Sequence, residues 1–309
     1  MHQGRVHITV PASTSNLGSG FDTLGLALSL RMSVAADFNT DAVRIRYSGE
    51  GAARIPTDER NLVYRSYAYG CQQLGQEPRP VALDIRNPIP LERGLGSSGA
   101  AIAAGLVLAD VACSHSAGDL LLQWGTELEG HPENVSSSLN GGFTINCLHG
   151  GRVISVKIEP PPDLRAVALI PEVVIPTEEA RRILPEQIPR QAAIFNMQRV
   201  ALWTVALQKG ELPLLRAASE DRLHQPYRKR FIPGFDALIE AAYNAGASAA
   251  FLSGSGSTIL ALCGRESAEA VQSAMAGVAS GHELVFQTRI LELESKGAQV
   301  SVNECGSEC

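Results

Sequence analysis

The segment Pro90-Leu91-Glu92-Arg93-Gly94-Leu95-Gly96-Ser97-Ser98-Gly99-Ala100 decides how this chain is read. Small residues let several backbone N–H groups turn toward one point. The alanine-rich run that follows, Gly99 to Ala112, has helix-forming composition, so its positive dipole end faces the same point. Two hydroxyls, Ser97 and Ser98, stand at that helix start. A segment built this way can hold phosphate groups. It is not a Walker A loop, which needs a lysine in GxxxxGK[ST], and it is not the dinucleotide fingerprint, because Gly94, Gly96 and Gly99 lack a preceding βαβ unit.

Two further glycine clusters flank it in sequence, at 16–25 (NLGSGFDTLG) and at 246–257 (GASAAFLSGSGS), so the 29 glycines are concentrated rather than scattered. Such clusters mark places where the backbone turns sharply or approaches a ligand closely. Period-two alternation at Val6–Val10, Val43–Tyr47 and Val81–Ile85 predicts strands. A helix is expected from Asn61 to Leu74, stopped by Gly75, and another after Ser97. Ser116 and Asp119 read as a capping box before a helix through LLLQWGTELEG, and PENVSSSLN at 132–140 reads as a short helix ended by Gly141-Gly142. Strands at 143–148 and 152–158 precede Pro160-Pro161-Pro162, which can join neither a helix nor a central strand and is read as the domain boundary. The expected domains are therefore 1–160 and 161–309. The second half predicts a strand at Ala166–Ile170, helices near 178–184, 191–209, 235–245 and 266–279, strands on either side of SGSGS, and a strand at Leu284–Arg289. Each half reads as α+β rather than as a doubly wound parallel sheet.

Composition removes several functions. With 45% hydrophobic and 19% charged residues, the 309-residue chain can bury sizeable cores. A net charge of −6 is the wrong sign for non-specific nucleic-acid binding. No run of ~18 apolar residues suggests a membrane span, and MHQGRVHITVPAS lacks the plan of a signal peptide, so a soluble cytoplasmic protein is expected. The six cysteines form no CxxC pair; Cys305 and Cys309 are read as tail residues. No HExxH motif or serine-hydrolase elbow is present, so zinc and acyl transfer have no support. His224 falls in a segment with no role assigned to that histidine.

The three glycine clusters carry a resemblance. Pro90 to Ala100 resembles the second motif of the GHMP kinases, a family named for galactokinase, homoserine kinase, mevalonate kinase and phosphomevalonate kinase. Val10-Pro-Ala-Ser-Thr-Ser-Asn16-Leu-Gly-Ser-Gly-Phe-Asp22 resembles the first motif and Gly246 to Ser257 the third, with Ser257 where proline is common. The first motif and Glu129-Gly-His131-Pro-Glu133-Asn134-Val135 are similar to the homoserine kinase branch, in which aspartate often replaces Glu133. The resemblance implies an α+β, two-domain GHMP kinase fold: an N-terminal ribosomal protein S5 domain 2-like domain and a C-terminal ferredoxin-like α/β sandwich. It also implies phosphorylation of the side-chain hydroxyl of L-homoserine by ATP with Mg²⁺, a step toward threonine, and a possible homodimer.

Phosphoryl transfer asks the protein mainly to align an acceptor and neutralise charge. Mg²⁺ favours a few hard oxygens, so Ser98 with a carboxylate from the next helix is the expected pair. By resemblance that carboxylate is Glu127, with Glu129 the alternative. The ATP-binding residues implied are Asn61 at the adenine end and Pro90, Arg93, Gly94, Leu95, Gly96, Ser97, Ser98, Gly99 and Ala100 around the phosphates; either Arg86 or Arg93 can face them. An amino-acid acceptor needs cationic forks for its carboxylate and an acidic group for its ammonium. The resemblance places Asp22 at the ammonium, Arg181 and Arg228 at the carboxylate, with Arg182 the alternative to Arg181, and Asn16 and His131 near the hydroxyl. Asn16 and Asn134 are the expected catalytic residues. Asn134 stands where some members of the family carry an aspartate base, and an amide takes no proton at neutral pH.

Overall fold

The computed structural model describes residues 4–303; Cys305 and Cys309 lie outside them. Two sheets organise the chain. The first has seven strands: β1 (Arg5–Ser15), β2 (Leu24–Asp37), β3 (Arg44–Gly49), β4 (Ala82–Asn87), β5 (Phe143–His149), β6 (Arg152–Ile158) and β11 (Gln299–Asn303). Its main path runs β11-β1-β2-β4-β3. β5 takes over beside the first residues of β2, where β4 does not reach, and β6 pairs with β5. Among the described residues only β3 and β4 pair in parallel. Pro11 is accommodated because the β1–β2 register shifts between Pro11 and Ala12, the kind of irregularity at which a strand tolerates proline.

Helices α1 (Leu62–Gln73), α2 (Ser97–Ala112), α3 (Leu120–Glu129) and α4 (Glu133–Asn140) belong to the first half. The alanines and glycines of α2 let it sit deep: Gly99 to Ala109 are all buried, and Gly105 lies so close to α1 that a Cβ would fall 2.3 Å from the Val63 carbonyl oxygen. The capping box expected at Ser116 and Asp119 does not form. Asp119 is already helical and makes no capping bond, while Asp110 from α2 accepts the Ala117 N–H at 2.8 Å.

The second sheet, in the order β10-β7-β9-β8, is antiparallel and comprises β7 (Leu164–Pro171), β8 (Ala247–Leu252), β9 (Ile259–Gly264) and β10 (Phe286–Glu292). The helices α9 (Phe235–Asn244) and α10 (Ala268–Gly281) pack on it around Val167, Leu238, Leu252, Val271 and Met275. Helix α6 (Arg190–Lys209) brings Trp203, fully buried, against Phe143 of the first sheet and Phe251 of the second. The proline run lies where the chain passes from β6 to β7. β6 belongs to the first sheet and β7 to the second, and residues 299–303 return to the first sheet and pair with β1.

Candidate active site

The three glycine clusters meet in space. β1 carries Ser13, Thr14 and Ser15 inward, all buried, into a turn whose Asn16, Leu17 and Asp22 have positive φ of 69°, 44° and 52°. Asn16 Oδ1 accepts the Asp22 N–H at 3.0 Å, and its Nδ2 donates to the Gly254 carbonyl at 3.0 Å. Ser253 Oγ donates to the Gly94 carbonyl at 2.6 Å and lies 2.7 Å from Thr14 Oγ1. The first cluster is thus tied to the third, and the third to the second. Ser257 supports the same turn by donating to the Val173 carbonyl at 2.5 Å.

A cavity of about 620 Å³ opens at this junction. Pro90, Gly94, Leu95, Gly96, Ser97 and Ser98 line it, as do Asn16, Asp22, Asn61, His131, Asn134, Arg181 and Arg228. Gly96 is the N-cap of α2, left-handed at φ 68°, and no side chain caps the N–H groups of that helix start. Ser97 Oγ accepts from Asn87 Nδ2 at 3.0 Å, and the same Nδ2 donates to Tyr47 Oη at 2.9 Å. On the opposite hand, Ser98 Oγ donates to Glu129 Oε1 at 2.5 Å. The Gly94–Ser98 loop consequently separates two ends of the cavity. One carries the apolar Tyr47, Ile55, Pro56, Leu62 and Leu91 together with Arg54, Arg60 and Glu92; the other is lined mainly by charged groups, Asp22, Glu129, His131, Glu133, Arg181 and Arg228.

Several expected placements change. Glu127 is exposed, accepts from Tyr69 Oη at 2.7 Å and Gln123 Nε2 at 3.0 Å, and does not line the cavity; Glu129 is the carboxylate beside Ser98. The reason is helical phase: positions two apart on α3 point roughly 200° away from one another. Arg93 turns away from the Gly94–Ser98 loop, donating to the Glu172 carbonyl at 2.9 Å and lining a separate cavity of about 200 Å³. Gly99 and Ala100 face the interior rather than the cavity; a Cβ on Gly99 would lie 2.9 Å from Asn134 Cβ. Arg86 and Arg182 are exposed and line neither cavity. Asn61 lines the cavity but uses its amide structurally, accepting the Val63 N–H at 3.0 Å and donating to the Pro56 carbonyl at 2.9 Å.

At the charged end, Arg181 and Asp22 pair with each other in a two-pronged bridge of 2.8 and 2.9 Å. Arg228 is only 2% exposed; its Nε donates to the Ala180 carbonyl at 3.0 Å and its Nη1 to the Gly254 carbonyl at 3.1 Å. Burial, with the Arg181 charge nearby, brings the Arg228 guanidinium down to about 10. His131 Nδ1 lies 3.0 Å from Glu133 Oε1. Burial pulls the His131 pKa down, but the Glu133 bond and the charges of Glu133 and Glu129 outweigh it and leave it raised. Burial also raises the Glu129 carboxyl, against the lowering effect of its Ser98 bond. Glu133, 1% exposed, keeps Oε2 without a hydrogen-bond partner. Asn134 touches the loop at Gly96: its Oδ1 accepts from Ser13 Oγ at 3.0 Å and its Nδ2 donates to Ser15 Oγ at 3.3 Å.

Sequence reasoning missed Tyr47, Asn87 and Ile55–Pro56, which line the apolar end. It also missed the inward hydroxyls of β1, for which the run Ser13-Thr14-Ser15 next to a glycine cluster was the available signal.

The GHMP kinases N terminal domain model matches residues 61–142, and the GHMP kinases C terminal model matches residues 204–280. The homoserine kinase of Desulfitobacterium hafniense is 39% identical over 299 residues, 96% of this chain and 99% of its own length. That of Aquifex aeolicus is 39% identical over 301 residues, with 96% and 99% covered. A crystal structure of homoserine kinase from Cytophaga hutchinsonii superposes with a TM-score of 0.87 at 28% identity, over 97% of this chain and 98% of that one. With motifs, fold and near full-length relatives in agreement, the chain belongs to the homoserine kinase branch of the GHMP kinase family.

Proposed function

We propose that the protein transfers the γ-phosphoryl group of ATP to the side-chain hydroxyl of L-homoserine, giving O-phospho-L-homoserine and ADP. One observation carries this reading: a single cavity joins an uncapped helix start at Gly94–Ser98 to an end lined by Asp22, Arg181 and Arg228. The helix start suits phosphates through its free N–H groups and dipole. The charged end suits a zwitterion, because two guanidiniums are superfluous for a neutral sugar. The apolar lining residues Tyr47, Ile55 and Leu62 at the other end suit a purine.

Mg²⁺ fits the donor set. Ser98 and Glu129 offer two hard oxygens at the phosphate loop and no soft ligand, matching an ion that takes one or two protein oxygens and completes its shell with water and phosphate. When bound, it offsets the charge of the β- and γ-phosphate oxygens. Asn134 supplies no base. Its amide is engaged at both ends, so the acceptor proton passes to a phosphoryl oxygen, and Asn134 serves alignment. Asn134→Ala is expected to lower kcat by roughly ten- to a hundredfold. Single-turnover kinetics check this, and a loss on the order of a millionfold in a folded variant would mean that Asn134 does more than align the acceptor.

The reading is tested by ADP release with Mg·ATP across L-homoserine, mevalonate, galactose and shikimate. Turnover of homoserine alone is expected. Turnover of another acceptor without homoserine would make the chain a different small-molecule kinase, and binding of ligands with no turnover of any acceptor would make it a sensor.

A further inference from the structure

Behind the charged end lies a buried group of side chains that phosphoryl transfer leaves without a role. His224 has no exposed surface and stacks on Phe21, with 5.3 Å between ring centroids and 27° between planes. Its Nε2 is 2.8 Å from the Gly18 carbonyl oxygen and 3.4 Å from Asp221 Oδ2. Both are acceptors, so Nε2 carries the hydrogen and Nδ1 presents a lone pair. That lone pair lies 3.4 Å from Arg228 Nη1, a group that can only donate. Burial and the Arg228 charge keep the imidazole neutral against the pull of Asp221. Asp221 is itself fixed: Asn196 Nδ2 donates to it at 2.7 Å and the Gln225 N–H at 2.7 Å. The Phe21 ring also lies under the acceptor arginines, 5.2 Å from Arg228 and 5.6 Å from Arg181.

We propose that His224 is a positioning residue for the acceptor's carboxylate. It ties Arg228 to Gly18 and so holds the guanidinium and the 16–22 turn, which carries Asn16 and Asp22, in one fixed relation. The role needs a side chain that donates at one end and accepts at the other. Lysine and arginine cannot accept, and phenylalanine can do neither. The proposal rests on the reading of the cavity as a homoserine site.

The test compares kcat/KM for L-homoserine with that for 3-amino-1-propanol, which has the same amine and hydroxyl but no carboxylate. Wild type, His224→Gln, His224→Asn and Arg228→Ala are measured, with KM for ATP and thermal melting as checks on folding. His224→Gln places a donor toward Gly18 but leaves nothing at Nδ1. It is expected to lower kcat/KM for homoserine roughly ten- to a hundredfold through KM, the size of a hydrogen bond to a charged group. Turnover of 3-amino-1-propanol is expected to stay within about twofold, since that acceptor makes no use of the bond. His224→Asn, whose amide oxygen can stand at the Nδ1 position, is expected to restore most of the preference for homoserine. Equal losses on both acceptors overturn the positioning role. So does a wild-type preference that Arg228→Ala abolishes and His224→Gln leaves intact. A wild-type enzyme that treats the two acceptors alike overturns the homoserine reading, and the proposal with it.

Discussion

Glu129→Gln is expected to lower kcat by roughly a thousandfold at saturating ATP, while Glu127→Gln stays within about twofold of wild type. The two residues are neighbours on one helix, yet only Glu129 meets Ser98, at 2.5 Å. Glutamine keeps the size and can still accept a bond from Ser98, but it removes the negative charge that would hold a divalent cation against triphosphate. The loss should therefore fall on the chemical step more than on folding. Glu127 bonds instead to Tyr69 and Gln123 on the exposed side of α3, where charge is screened and exposed interactions contribute little. Steady-state ADP release, measured as Mg²⁺ is varied, separates the cases: the Glu129 variant should need more Mg²⁺ for half-maximal rate, and the Glu127 variant should not. The reverse ranking would return the metal to Glu127.

The second large effect is steric. Gly96→Val puts a β-branched residue at φ 68° with its Cβ 2.0 Å from Ser13 Oγ and 3.0 Å from the Ser13 carbonyl oxygen. The left-handed backbone costs a non-glycine residue about 1–3 kcal/mol. Crowding of a packed site adds about 1–3 kcal/mol. A combined loss of about 2–6 kcal/mol is a large part of the stability of an ordinary domain. Gly75 is the control: it too is left-handed, at φ 70°, but a Cβ there meets nothing within 4 Å. Gly75→Val should show the backbone cost alone. Thermal melts of the two variants test this, with Gly96→Val expected to unfold well below Gly75→Val and to lose ATP affinity. Equal melting temperatures would mean that the loop relaxes freely around position 96.

What the sequence revealed and what it hid divide along a physical line. Local signals were legible: glycine at helix stops, the alanine-rich α2, the short helix before Gly141, and the three clusters that meet at the cavity. β2 was legible and went unassigned: in LGLALSLRMSVAAD larger apolar residues alternate with small or polar ones, and Leu24, Leu26, Leu28, Met32, Val34 and Ala36 are all buried, but the strand begins inside a glycine cluster that reads as a turn. The short helices α7 (Leu214–Ala218) and α8 (Gln225–Arg228) carry too few turns for a periodic pattern. At the site, residue types were readable but pairings were not. Asp22 and Arg181 are 159 positions apart, and nothing local says that they face one another before they face a substrate. The choice between Glu127 and Glu129 turned on where α3 stops and how it is rotated, which helix-forming propensity leaves open.

The return of residues 299–303 to the edge of β1 bears on how the chain is made. Arg5 through Thr9 find their partners Asn303 through Gln299 across almost the whole length of the polypeptide. During synthesis from the N-terminus, the first sheet must wait, with the outer edge of β1 open, until the second half has been translated. Domains that fold in order as they emerge avoid such a wait. Here the first half to leave the ribosome is among the last to be finished, and the exposed strand edge is the part a nascent chain would need to keep from pairing with a neighbour.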